Sequence, residues 1–212
     1  IKFAKECHIM HHYVYLFLAS ICVSATWAVG IYSIYFMTES AKLTLDQVGI
    51  INGVMTLVVS VMILGSCWLA DRYHPIRVVI VGVILQIVLA LPAMMLWIFY
   101  TPTPQMSFYL LLGINICIMA PVGALTGVMD PPLLMRLFPR DRYGQFCSAN
   151  AMWRSISVIV FGSLAGFFCD ILTAHLGRAK AFCFLPVWQI FFTILMLFFL
   201  FMVYKHWKLQ GG

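Results

Sequence analysis

The chain has 212 residues, 63% of them hydrophobic and 9% charged, and its mean hydropathy is +0.99. A water-soluble domain carries about 25% charged residues, so this composition excludes one and defines an integral membrane protein. The net charge of +6 does not indicate nucleic acid, because the basic residues sit in short segments between apolar runs, where the positive-inside rule puts them.

The opening Ile1-Lys-Phe has no initiator Met, and the first apolar run is too long for a signal peptide and lacks a small-residue cleavage site. With the abrupt Gly211-Gly212 end, this predicts a piece of a longer protein. His8, His11 and His12 have helical metal-ligand spacing, but a polar tail ahead of a membrane span accounts for them, and no metal or cofactor site is predicted. Six apolar segments follow, at 13–37, 47–70, 77–100, 106–129, 144–168 and 184–204. Each has about 20 residues or more, enough for one helical crossing, and the short alternating runs of a β-barrel are missing. The predicted fold is all-α: one bundle of six transmembrane helices spanning residues 1–212.

The first segment carries Ser20, Ser24 and Trp27, with Tyr32 and Tyr35 near its outer end, where aromatic belts form. Thr44-Leu-Asp-Gln47 predicts a capping box at the start of the second, which carries Asn52, Thr56 and Ser60 on one face. The third holds an isolated Gln86 and ends at Thr101-Pro-Thr-Pro104, where neither proline suits a helix interior. The fourth holds Asn115, and its Pro121 and Pro131-Pro132 predict a kink or a broken end. On the fifth, Cys147, Asn150, Arg154 and Ser157 share a face, and the sixth holds Gln189. Gly49/Gly53, Gly123/Gly127 and Gly162/Gly166 have the spacing of close helix contacts. The seven cysteines are scattered without a C-x-x-C pair and read as reduced packing residues.

Arg154 is the sharpest of these features. It follows Gly144 by 10 residues, which places it about 15 Å deep, near the midplane of a hydrocarbon core about 30 Å thick. A guanidinium stays charged there and needs a partner or a substrate. A structural pair with Asp130 or with backbone carbonyls is one reading; a substrate or coupling role is the other.

The orientation follows from counting Lys and Arg. Lys2, Lys5, Arg72, Arg77, Arg136, Arg140, Arg142, Lys205 and Lys208 lie on one side, against Lys42, Arg178 and Lys180 on the other. That asymmetry predicts both termini in the cytoplasm, and a plasma (inner) membrane location.

The turn Gly65-Ser-Cys-Trp-Leu-Ala-Asp71-Arg72-Tyr-His-Pro-Ile-Arg77 resembles the G-x-x-x-D-R-x-G-R-R signature of the major facilitator superfamily of transporters. Asp71 and Arg72 fit, Cys67 and His74 stand where glycines belong, and Arg77 comes one place late. Leu43-Thr-Leu-Asp-Gln-Val-Gly49 and Leu137-Phe-Pro-Arg-Asp-Arg142 are similar to family loops. The resemblance covers the whole chain in architecture, and the eroded signature implies the C-terminal six-helix half. It implies that Asp71, Arg72 and Arg77 act in gating, that the first and fourth helices line a central path with the second and fifth beside them, and that the third and sixth lie outside.

The resulting expectation is secondary transport of a small polar solute, a sugar or related metabolite, by alternating access, with proton or sodium coupling possible. Substrate contacts are expected from Arg154, Asn150, Asn115, Trp27 and Asn52. The predicted partners are the solute, lipid and a missing N-terminal six-helix bundle. A six-helix channel or assembly subunit is the alternative. A membrane enzyme is less favoured: there is no G-x-S-x-G or H-E-x-x-H, and all six histidines fall outside the predicted spans.

Overall fold

The computed structural model describes residues 11–128 and 131–209. Among these there is no strand, and six helices are long and apolar enough to cross a membrane. They are α1 (Tyr13–Ser40), α2 (Leu45–Tyr73), α3 (Pro75–Phe99), α4 (Pro104–Leu137, with residues 129 and 130 outside the description), α5 (Arg140–Leu176) and α6 (Arg178–Leu209). The chain is an all-α membrane bundle.

Local chemistry fixes the ends of these helices. At the start of α2 the Thr44 N–H donates to Gln47 Oε1 (3.1 Å) and the Gln47 N–H to Thr44 Oγ1 (3.4 Å), the reciprocal box expected from the spacing. Between α2 and α3 a single residue, His74 at φ 72°, makes the turn, and its Nδ1 accepts from the Ile76 N–H at 3.4 Å. The chain breaks between Phe99 and Pro104, as the prolines require. Pro131 opens a short final helical segment of α4, where a missing N–H costs nothing. Gly177, at φ 78°, ends α5 in a conformation that only glycine adopts without strain.

Several helices outrun their apolar windows, α4 and α5 by the most at their C-terminal ends. α4 reaches Leu137 and α5 reaches Leu176, because side chains beyond the windows still have cores to join. Leu133 and Leu134 pack into one and Cys169 into the other.

The packing has an internal exchange symmetry. α1 packs against α5 and α6, α4 packs against α2 and α3, and α3 meets α6. Exchanging α1 with α4, α2 with α5 and α3 with α6 leaves these pairings unchanged. A unit of three crossings starts its repeat from the opposite side of the membrane, so this is the pattern of an inverted repeat. Hydrogen bonds reinforce the α1 side: Ser157 Oγ on α5 donates to the Ile21 carbonyl (2.9 Å), and Trp188 Nε1 on α6 to the Ala25 carbonyl (2.8 Å).

Among the described residues there are two hydrophobic cores, stacked along the helix axes. One gathers Leu16, Ile76, Val79, Leu133, Phe146 and Leu200; the other gathers Val29, Ile51, Trp97, Leu111, Ala165 and Leu185. α3 serves both, with Ile76–Val83 in the first and Trp97 in the second.

The glycine pairs do not mark close contacts as expected. A Cβ on Gly49, Gly53, Gly123 or Gly162 would meet open space, since these positions face outward or into a cavity. Gly166 does make room, for the Tyr32 hydroxyl, and Gly127 lies at ordinary distance from Ile63. An equally tight approach, against less yielding atoms, is at Gly82, where a Cβ would sit 2.9 Å from Leu125 Cβ on α4.

Candidate functional site

Among the described residues, three helices carry one π-helical stretch each: Phe36–Ser40 in α1, Gln86–Ala90 in α3 and Asn115–Met119 in α4. Each is closed by an N–H donating five residues back, from Ala41 to Phe36, Leu91 to Gln86 and Ala120 to Asn115. In α3 and α4 a proline follows at the same offset, Pro92 six residues after Gln86 and Pro121 six residues after Asn115. A proline cannot donate, and its ring crowds the carbonyl four residues back. A widened turn just ahead relieves that crowding, and such turns gather at functional sites.

All three stretches border one cavity. Its volume is about 480 Å³ and it lies between the two cores, walled by α1, α2, α3, α4 and α6. Four carboxamides line it, Asn52, Gln86, Asn115 and Gln189, with the hydroxyls of Ser33 and Thr126. Trp27 and four methionines, Met37, Met55, Met94 and Met119, make up much of the apolar remainder. A smaller cavity of about 260 Å³ shares Trp27, Gln86, Gly123 and Thr126 with it and adds Ser20 and Arg154. A third, about 420 Å³, lies toward the Tyr143 end of α5 and is lined by Leu134, Tyr143, Cys147, Asn150 and, again, Arg154. The three form a series, joined by shared walls.

The expected substrate residues take distinct places in it. Arg154 is half-buried and faces both smaller cavities. Within α5 the continuous α-helical stretch Tyr143–Leu176 has 34 residues, and Arg154 lies about 8 Å from the middle of that stretch, toward the Tyr143 end. Trp27 is 63% exposed and borders the two inner cavities, so it is not packing bulk. Asn52 is exposed, and Asn115 is buried with its Nδ2 donating to the Leu111 carbonyl at 2.8 Å, which leaves Oδ1 as an acceptor. Asn150 is 3% exposed, lines only the third cavity, and its Oδ1 is a buried acceptor with no partner among the described residues. Asp130 lies outside the described residues. Ser157, on the face of Arg154, ties α5 to α1 through the Ile21 carbonyl.

Gln86 and Gln189 correct the expectation that α3 and α6 are outer helices, because both line the main cavity. In the sequence each stands as an isolated polar residue. The usable signal was the equal spacing of Gln86 to Pro92 and Asn115 to Pro121.

At the arginine-rich end, Asp71 of α2 accepts from Arg136 Nη2 of α4 at 3.1 Å. Arg72 packs on its own helix, its guanidinium carbon 5.6 Å from the ring centroids of both Trp68 and Tyr73. Arg77 is exposed beside His74. Burial first, then the nearby Arg136 and Arg77, holds the His74 imidazole below its ordinary pKa. The His74 ring lies 4.3 Å from that of Trp207 on α6. The α2–α3 turn is thus tied to both α4 and α6.

Fold and site together define an integral membrane helix bundle enclosing a series of cavities. No protein-family model matches the chain, and neither a curated protein nor a solved structure does.

Proposed function

We propose that this chain moves a small polar solute across a membrane by alternating access, as one six-helix bundle of a secondary transporter of the major facilitator type. The observation that carries the reading is the exchange symmetry of the helix packing, with a largely apolar cavity that carries four carboxamides between two separate cores. Inverted repeats with a site near mid-depth are the architecture by which a carrier exposes one site to either side in turn. The Asp71–Arg136 pair and the His74–Trp207 contact supply a closure at one end that charge and packing can make and break.

The second bundle docks on α2 and α5, the two least buried helices. On α2 the exposed Thr56 and Ser60 hydroxyls donate to the Asn52 and Thr56 carbonyls (2.8 Å each), so neither hydroxyl is left unmet when that face is covered. Both termini are cytoplasmic in the plasma membrane, and a proton or sodium ion couples the movement.

Reconstituted proteoliposomes test this. With radiolabelled hexoses and neutral heterocycles offered as probes, saturable uptake of at least one of them, accelerated by the same solute on the far side, is expected. Conductive, non-saturable flux without that acceleration would identify a channel and overturn the reading.

A further inference from the structure

The main cavity has a wall chemistry more particular than "polar". Its lining holds no charged side chain; the one charged residue lining the series, among those described, is Arg154, in the adjoining cavities. A charged solute entering the main cavity would give up water for a wall with no opposite charge, which disfavours ions of either sign. What the wall offers instead is carboxamides, each with a donor and an acceptor side by side. Such a group pairs edge-on with a planar partner carrying the complementary pair, as asparagine and glutamine do on a nucleobase edge.

The rest of the wall is suited to the faces of such a ring. Trp27 presents an exposed indole for stacking, and methionine thioethers make favourable contacts with aromatic rings while adapting to irregular outlines. A sugar presents hydroxyls on every side and would leave several against this apolar wall without partners. The volume, about 480 Å³, falls in the range of sites for mid-sized organic ligands, about 300–1,000 Å³.

We propose that the main cavity binds an uncharged solute with a flat heteroaromatic body and an amide- or lactam-like edge, the ring against Trp27 and the edge on Gln86 and Asn52. This rests on the transport reading and names its solute class.

The test uses the full chain in lipid nanodiscs and equilibrium binding of four probes. Indole-3-acetamide is uncharged, indole-3-acetate and tryptamine carry the same ring with opposite charges, and glucose is the hydroxyl-rich comparison. Indole-3-acetamide is expected to bind at least about tenfold tighter than either charged analogue, and glucose not to displace it. Gln86→Leu and Asn52→Ala should each weaken it about tenfold, the loss of one well-made hydrogen bond. Trp27→Ala should weaken it more than Trp27→Phe, with unchanged thermal unfolding certifying each variant. Asn52 is exposed, so its variant stays informative if Gln86→Leu misfolds. Tighter binding of indole-3-acetate would overturn the proposal in favour of an anion seat at Arg154. Displacement by glucose, or no binding of any probe, would also overturn it. Uptake is scored separately: binding of indole-3-acetamide without its transport would sink the transport reading alone, and transport of glucose without that binding would sink the solute class alone.

Discussion

Asp71 and Arg136, 65 residues apart in sequence, meet at 3.1 Å and join α2 to α4 at the arginine-rich end of the bundle. Both side chains are well exposed, at 80% and 41%. Exposed pairs of this kind add only about 0–1 kcal/mol to stability. Asp71→Asn or Arg136→Gln should therefore leave thermal unfolding nearly unchanged while altering uptake rate. The charge-swapped double variant, Asp71→Arg with Arg136→Asp, should restore much of the rate. Equal loss in single and swapped variants would separate the pair from gating.

His74 gives the pH dependence a definite sign. Its folded pKa lies below the ordinary value of about 6.5. The unfolded chain then takes up the proton first on acidification, so stability is full above about pH 6.5 and declines as pH falls through the folded pKa. Protonation would also remove the Nδ1 acceptor of the Ile76 N–H. Asn at position 74 tolerates a positive φ and can still cap, so His74→Asn should flatten this decline. Melting temperatures from pH 8 to 5, compared between the two proteins, read it directly.

Gly82→Ala should destabilise the bundle by about 1–3 kcal/mol, an ordinary overpacking penalty, because the new Cβ would lie 2.9 Å from Leu125 Cβ. Gly123→Ala enters open space beside the cavities and should leave unfolding almost unchanged. Thermal unfolding in one detergent compares the two; equal losses would refute the close α3–α4 approach.

Ser157→Ala removes a cross-helix hydrogen bond to the Ile21 carbonyl. Bonds of this type in membrane bundles average about 0.6 kcal/mol. A small drop in melting temperature, with solute binding retained, is the expected result.

Arg154→Ala should abolish uptake while membrane insertion and folding persist, and Arg154→Lys should recover only part of it, since an ammonium lacks the planar fork. Undiminished transport in Arg154→Ala would remove the residue from the pathway.

The sequence made the six crossings legible because apolar length is a direct physical requirement of the bilayer. The Thr44–Gln47 cap was legible for the same reason: two orphan N–H groups and two suitable side chains lie within one turn. Asp71 could be picked out, but its partner Arg136 could not, because the positive-inside rule explained that arginine already. Gln86 looks like an isolated residue because a helical stripe is drawn on a regular 3.6-residue period, and Gln189 because a lone polar residue on α6 makes no stripe at all. The π turns break that period in α1, α3 and α4. Gly49 and Gly53 have the spacing without the contact, because small-residue spacing says that a backbone can be approached, not what approaches it.

Those π turns have one more consequence. Each inserts a residue without changing the hydrophobic character of its helix, and one residue turns everything beyond it by about 100°. Deleting any single residue from Gln86–Ala90 would leave α3 as apolar and as able to insert as before. Yet Met94 would swing away from the cavity and Trp97 out of its core. Within these stretches the number of residues sets the facing of everything beyond them, whatever the residues themselves contribute.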